Sequence, residues 1–186
     1  MASTPCGFCG FNNAVVAAHA ALEASAKKIL IVNFDLHHDQ GTQQAFYSDP
    51  RVVYMSVHRY ENGAYWPHLR ESCFDFIGEE EGKGFNVNVA LNSIGGPSDY
   101  LAIFHTVFLP IAIEFQPDLV LISAGYATLK LFLQELLGFE LNYFGKSHRV
   151  HNLLNLFISA SKETSTGSKL KVCRKSPMPT YFSQNK

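Results

Sequence analysis

Asp35-Leu36-His37 is the segment of this chain best equipped for metal chemistry. On extended backbone, residues two apart project to the same side. The Asp35 carboxylate and the His37 imidazole can therefore face one ion together, and both donor types suit Zn²⁺. The competing reading is a polar turn carrying surface histidines. A catalytic zinc takes three protein ligands and keeps a fourth position open for water. It polarises a carbonyl and lowers the pKa of its bound water to about 7. The third ligand has to come from another strand end. The natural place follows the apolar run Leu119–Ser123, where the chain reads Ser123-Ala124-Gly125-Tyr126-Ala127 and offers no carboxylate. His38, Asp39, His58 or a second chain would then have to complete the site. His58 itself reads as a base, a ligand, or a structural histidine beneath the rim of a sheet.

Other reactive residues are less tied to a pattern. Cys6 and Cys9 have the C-x-x-C spacing of a redox pair or half a zinc site, but no partner pair follows at zinc-finger spacing. The alternative is two ordinary thiols, one of them buried. Tyr65 and Trp66 lie in a turn-rich loop, where a large ring has to pack or bind something. His19 and His105 fall within helical patterns and read as structural or surface residues. The glycines at 82, 84, 95 and 96 lack phosphate-loop spacing.

The elements that would hold these residues alternate. Asn12 to Lys28 reads as a helix capped by Asn12 or Asn13, with Lys27 and Lys28 in its last turn. Ile29–Phe34, Val52–Val57 and Leu119–Ser123 are apolar, β-branched runs suited to buried parallel strands. Asn86–Ala90 alternates, so one of its faces is polar. Asp99 to Phe115 reads as a helix capped by Ser98 or Asp99 and kinked at Pro110. The pattern predicts an α/β domain: a mainly parallel central sheet flanked by helices. Ligands in such sheets bind beyond the carboxyl ends of the strands, where Asp35–His38 and His58 fall.

Composition limits the alternatives. A hydrophobic share of 47% and a charged share of 17% suit a globular domain. A formal net charge of -1 gives no basic field for nucleic acid. No signal peptide or membrane-length apolar run is read, which points to the cytoplasm or nucleus. The expected organisation is a domain over 5–126, a divergent and possibly helical piece over 127–160, and a flexible basic tail over 161–186.

Several long segments resemble one family. Gly7-Phe8-Cys9-Gly10-Phe11-Asn12-Asn13 is similar to GFCxFNN, and Ile31 through Gln43 to VDWDVHHGNGTQ. His58-Arg59-Tyr60 through Trp66-Pro67 is similar to HRYxxGxFWP, Gly84 through Asn88 to GFNVN, and Ala112 through Gly125 to AxEFxPDLVLVSAG. These are motifs of the zinc-dependent histone deacetylases, class II and closest to class IIb. The resemblance implies an arginase/deacetylase-like fold and hydrolysis of an acetyl-amide. It implies zinc, held in part by Asp35 and His37, and a substrate channel walled by Phe8 and Trp66 with Gly7 alongside. It assigns Asp35, His37, Ser56 and Val57 to a monovalent cation such as K⁺, and Phe46 to a second such site. Its substrates are acetyl-lysine proteins or acetyl-polyamines, and its members engage co-regulator proteins.

The departures set a further expectation. The family's His pair precedes the GFC segment and is not present here. Ala127 stands where the third zinc-binding Asp would be, Asn33 replaces an Asp, and no GGY segment supplies the catalytic Tyr. The expected product is a domain truncated at both ends and weakly active or inactive.

Overall fold

The computed structural model describes residues 5–7, 9–93 and 95–125. In chain order its main elements are α1 (Asn13–Glu23), β1 (Ile29–Asn33), α2 (Gln40–Phe46), β2 (Val52–Arg59), β3 (Asn86–Leu91), α3 (Pro97–Ile103), α4 (Leu109–Phe115) and β4 (Leu119–Ser123). The strands form one parallel sheet in the order β3-β2-β1-β4. The expected α/β architecture is therefore present. Phe8, Tyr126, Ala127 and the divisions expected over 127–160 and 161–186 lie outside the described residues.

Strand periodicity sorts the core into two layers. Leu30, Val32, Phe34, Val53, Met55, Val57, Val120 and Ile122 face Tyr100, Phe104, Phe108 and Phe115 of the long C-terminal helical segment. Ile29, Ile31, Val52, Tyr54 and Leu121 face Ala18 of α1 and Phe46 of α2. All five residues of β1 are buried, as expected of a strand covered on both faces. Each large side chain taken out of water here contributes about 1.5–3 kcal/mol.

The structure departs from expectation in four places. α1 ends at Glu23, not Lys28, because Ser25 turns to a positive φ of 78°. Lys27 and Lys28 instead donate their backbone N–H groups to the Asp118 carboxylate, at 2.7 and 3.0 Å, tying the start of β1 to the start of β4. α2 was not foreseen: its inward residues Gln40, Thr42 and Gln43 are polar, so no apolar period marks it. Asp39 caps it, accepting from the Thr42 hydroxyl at 2.7 Å. Third, α3 begins at Pro97 on Gly96, and Asp99 acts from inside the first turn by accepting the Gly96 N–H at 2.7 Å.

The fourth departure is near Pro110. The helix widens into a π-helical turn over Phe104–Phe108, where the Leu109 N–H reaches back to Phe104 O. A wider turn there accommodates the N–H that Pro110 lacks. The stretch Ser98–Phe115 is also, by length and composition alone, long and apolar enough to cross a membrane, which amends the sequence reading. Its aromatic stripe packs on the sheet, while Ala102, His105, Thr106, Ile113 and Glu114 on its other side are exposed.

The α1/α2 side of the sheet turns polar toward the strands' carboxyl ends. Asn33, Ser56, His58, Asn86 and Asn88 are all buried there, together with His38, Gln43 and Ser72. One carbonyl fixes the proton positions. Ser72 O can only accept, so His58 Nε2, 2.8 Å away, carries the hydrogen, and His58 Nδ1 accepts from the Ser56 hydroxyl at 2.8 Å. His38 Nδ1 meets the Ser72 hydroxyl at 2.8 Å, and its Nε2 donates to Gln43 Oε1 at 3.0 Å. Gln43 Oε1 also takes the amides of Asn86 and Asn88. The network joins β1, β2, β3, α2 and the loop at Ser72 beneath the strand ends.

Burial holds both rings neutral. Desolvation, with the nearby His58 ring adding to it, takes His38 from 6.5 to about 3; desolvation takes His58 to about 4. In the unfolded chain both titrate near 6.5, so below that pH the unfolded state binds protons that the folded state refuses. This contribution is complete above pH 6.5 and is lost as pH falls toward the folded values, at up to about 1.4 kcal/mol per pH unit for each ring. The urea midpoint should therefore fall steadily between pH 6.5 and 5; a midpoint constant over that range would contradict the assignment.

Candidate active site at the exit of β1

The chain runs β1, β2, β3 toward one edge and then crosses to place β4 on the other side of β1. The strand order therefore reverses between β1 and β4, and a crevice opens at their carboxyl ends. The pairing Asn33↔Ser123, extended by the 2.8 Å bond from Phe34 N–H to Ser123 O, brings Asp35 alongside Gly125. A Cβ at Gly125 would overlap the Asp35 carboxylate, so only glycine allows β4 to leave the sheet this close to it.

Asp35 and His37 come together as the D-x-H spacing predicts. His37 Nδ1 lies 3.2 Å from Asp35 Oδ1, which also accepts the His37 backbone N–H at 2.9 Å. Two donors each about 2.0 Å from one tetrahedral ion stand about 3.3 Å apart. The pair is thus spaced to share an ion. His37 keeps 45% of its side-chain exposure and Asp35 20%, so the position is open to solute. Among the described residues, no group of three or more His, Cys, Asp or Glu is placed to hold a metal.

Aromatic rings fix the imidazole. Tyr65 stacks on His37 with centroids 5.3 Å apart and planes at 14°, and Trp66 meets it edge-on at 5.5 Å. The Arg59 guanidinium lies 4.3 Å from the Tyr65 ring centroid and is held by Glu61 through a 2.6 Å hydrogen bond. Glu61, Arg59, Tyr65 and His37 therefore form one stack. A cation over an aromatic face contributes about 0.5–1 kcal/mol when exposed. Sequence reading placed Tyr65 in a turn but not against His37. Arg59 ends β2 and Tyr65 lies six residues on in the following loop, a spacing with no periodic signal.

Gly7 abuts Trp66. It has a φ of 60°, and a Cβ there would lie 3.0 Å from the Trp66 ring. The glycine is required twice, for its backbone conformation and for close approach. Cys6 and Cys9 are free thiols and both exposed, which corrects the expectation that one is buried. His58 is fully buried with both ring nitrogens bonded to protein. Exposed His19 sits against Phe46, and His105 is at the surface.

Of the residues expected at a monovalent cation, Asp35, His37 and Ser56 gather around Asn33. The Asn33 amide nitrogen donates to His37 O at 3.3 Å and Ser56 Oγ at 3.2 Å, and its oxygen accepts the Asp35 N–H at 3.1 Å. Val57 is buried in β2 with its side chain in the opposite layer. The Phe46 carbonyl accepts the Asp49 N–H at 3.1 Å, closing the turn after α2.

Comparison with known proteins agrees with this arrangement. Residues 1–166 match the model of the histone deacetylase domain, which extends past the last motif read in the sequence. The chain is 49% identical over 154 residues to "Histone deacetylase 6" of Caenorhabditis elegans, covering 82% of this chain and 16% of that protein. It is 52% identical over 122 residues to "Polyamine deacetylase HDAC10" of Homo sapiens, covering 64% and 18%. Among solved structures, the HDA15 HD domain matches with a TM-score of 0.70 at 33% identity, over 90% of this chain and 44% of that one. The deacetylase Clr3 matches at 0.62 and 27%, over 94% and 38%. The chain spans less than a fifth of the length of these two curated relatives. A parallel sheet with Asp35 and His37 at its switch point, and a family match across most of the sequence, identify the chain as a member of the histone deacetylase family.

Proposed function

We propose that this chain carries the Asp35/His37 part of a zinc-dependent site for acetylated amines, and that on its own it hydrolyses them weakly or not at all. The 3.2 Å approach of His37 Nδ1 to Asp35 Oδ1 at the β1/β4 crevice carries this reading. A zinc ion held by the pair would supply Lewis-acid polarisation of an acetyl carbonyl. Asp35 and His37 would bind that ion, with the Tyr65 stack keeping the His37 ring turned toward it. Trp66 and Gly7, with Phe8 from the same segment, would line the path of the acetylated side chain. The feeble turnover follows from the donor count, since the position after β4 that resembles the family's third ligand is Ala127. The substrate class would be acetyl-lysine protein or acetyl-polyamine, and the setting cytoplasm or nucleus, with co-regulator proteins as further partners.

The retained wall favours a second reading, binding without turnover. Trp66 is the single tryptophan of the chain, so its fluorescence reports on this wall alone. Titration with an acetyl-lysine peptide or an N-acetylated polyamine should change that fluorescence saturably, with little or no acetate released. Rapid zinc-dependent acetate release by the pure chain would overturn the proposal of weak turnover. No saturable change with either ligand would overturn the assignment of the wall.

The cation site calls for a different occupant. We propose that the Asn33 amide takes the place of the monovalent ion, because its N–H groups already satisfy the oxygens of His37 and Ser56. Replacing K⁺ by tetramethylammonium at constant ionic strength should leave the Tm of the chain unchanged. Asn33→Asp removes the donor and adds a charge, so its Tm should rise with K⁺. A saturable, K⁺-specific rise in the unsubstituted chain would contradict this substitution.

A further inference from the structure

Cys6 and Cys9 take no part in the proposed metal site, yet they are brought together beside the channel wall. The Cys9 N–H donates to Cys6 O at 3.2 Å, and the two residues form an isolated antiparallel bridge. Cα atoms paired in this way lie about 4.5–5.5 Å apart, inside the range of about 4.4–6.8 Å that a disulfide spans. Both thiols are free and exposed. Gln40 Nε2 donates to Cys6 Sγ at 3.5 Å, anchoring that side of the turn on α2. Between the two cysteines stands Gly7, whose backbone lies against the Trp66 ring.

We propose that Cys6 and Cys9 form a dithiol oxidation site that closes to an intraloop disulfide under a peroxide. One thiolate attacks the peroxide, breaking its O–O bond and leaving a sulfenic acid and one water. The second thiol then attacks that sulfur, the S–S bond forms and a second water leaves. The two sulfurs lose two electrons, which hydrogen peroxide takes up. Closure fixes the segment carrying Gly7 and so restricts the wall it makes with Trp66. Two donors suffice for a disulfide, whereas a structural zinc site takes four, and the described residues offer the pair no third metal-binding partner.

The test uses the whole reduced chain, treated with a small excess of hydrogen peroxide and then alkylated. Trypsin cuts after Lys27, so residues 1–27 carry both cysteines in one peptide, apart from Cys73 and Cys173. That peptide should appear unalkylated and lighter by two hydrogens, with titratable thiols falling from the four of the sequence to two. Cys6→Ser and Cys9→Ser should each abolish the product. In the unsubstituted chain, oxidation should alter Trp66 fluorescence and reductant should restore it. Separate alkylation of Cys6 and Cys9 after oxidation, a bridge to Cys73 or Cys173, or irreversible sulfinic acid at either residue would overturn the proposal. A disulfide that leaves Trp66 fluorescence unaltered would overturn the link to the wall.

Discussion

The candidate site depends on β1 having parallel partners on both sides. β2 and β4 hold β1 along its whole length, from Ile29 to Asn33, and β4 arrives from the far side of the chain. That crossover makes the crevice, and the register Asn33↔Ser123 determines what stands in it. A slip of one residue would turn Asp35 away from β4 and exchange the two core layers of β1. Lys27, Lys28 and Asp118 secure the register from below, and Gly125 lets the strands remain close above. The two donor atoms are therefore positioned by the sheet rather than by the loop on which they sit.

Beneath the donors, neutral amides, hydroxyls and imidazoles replace hydrocarbon. Such a layer is costly unless its groups are bonded. Here most partners are supplied across four elements and one loop, with Gln43 Oε1 receiving His38, Asn86 and Asn88 together, while the buried side-chain oxygens of Asn86 and Asn88 find none among the described residues. The arrangement is uncharged, which suits the floor of a site meant to concentrate charge above it. Asn33 belongs to this layer. It joins the ends of β1 and β2 by hydrogen bonding, where the resemblance leads one to expect a carboxylate and an ion.

Much of this was legible in the sequence, for identifiable reasons. The strands announced themselves because burial on both faces demands continuous apolar runs, and Asp35 and His37 followed from the period of two. The alternation Asn86-Val87-Asn88-Val89 also foretold a polar face, although not that it would be buried. α2 stayed hidden because a helix whose inward residues are Gln and Thr has no hydrophobic period. The end of α1 was overread because Lys27 and Lys28 fit a helix terminus, yet they serve the sheet. The stack of Arg59 and Tyr65 on His37 arises from loop geometry, which local spacing does not encode.

The most direct test is a zinc titration of the folded, metal-free chain against a chromophoric chelator. The account predicts one zinc per chain, with affinity lowered more than about tenfold by Asp35→Ala and by His37→Ala. It predicts no change from Cys6→Ser, which separates the site from the nearby thiols. Binding that survives His37→Ala, or that disappears with Cys6→Ser, would contradict it.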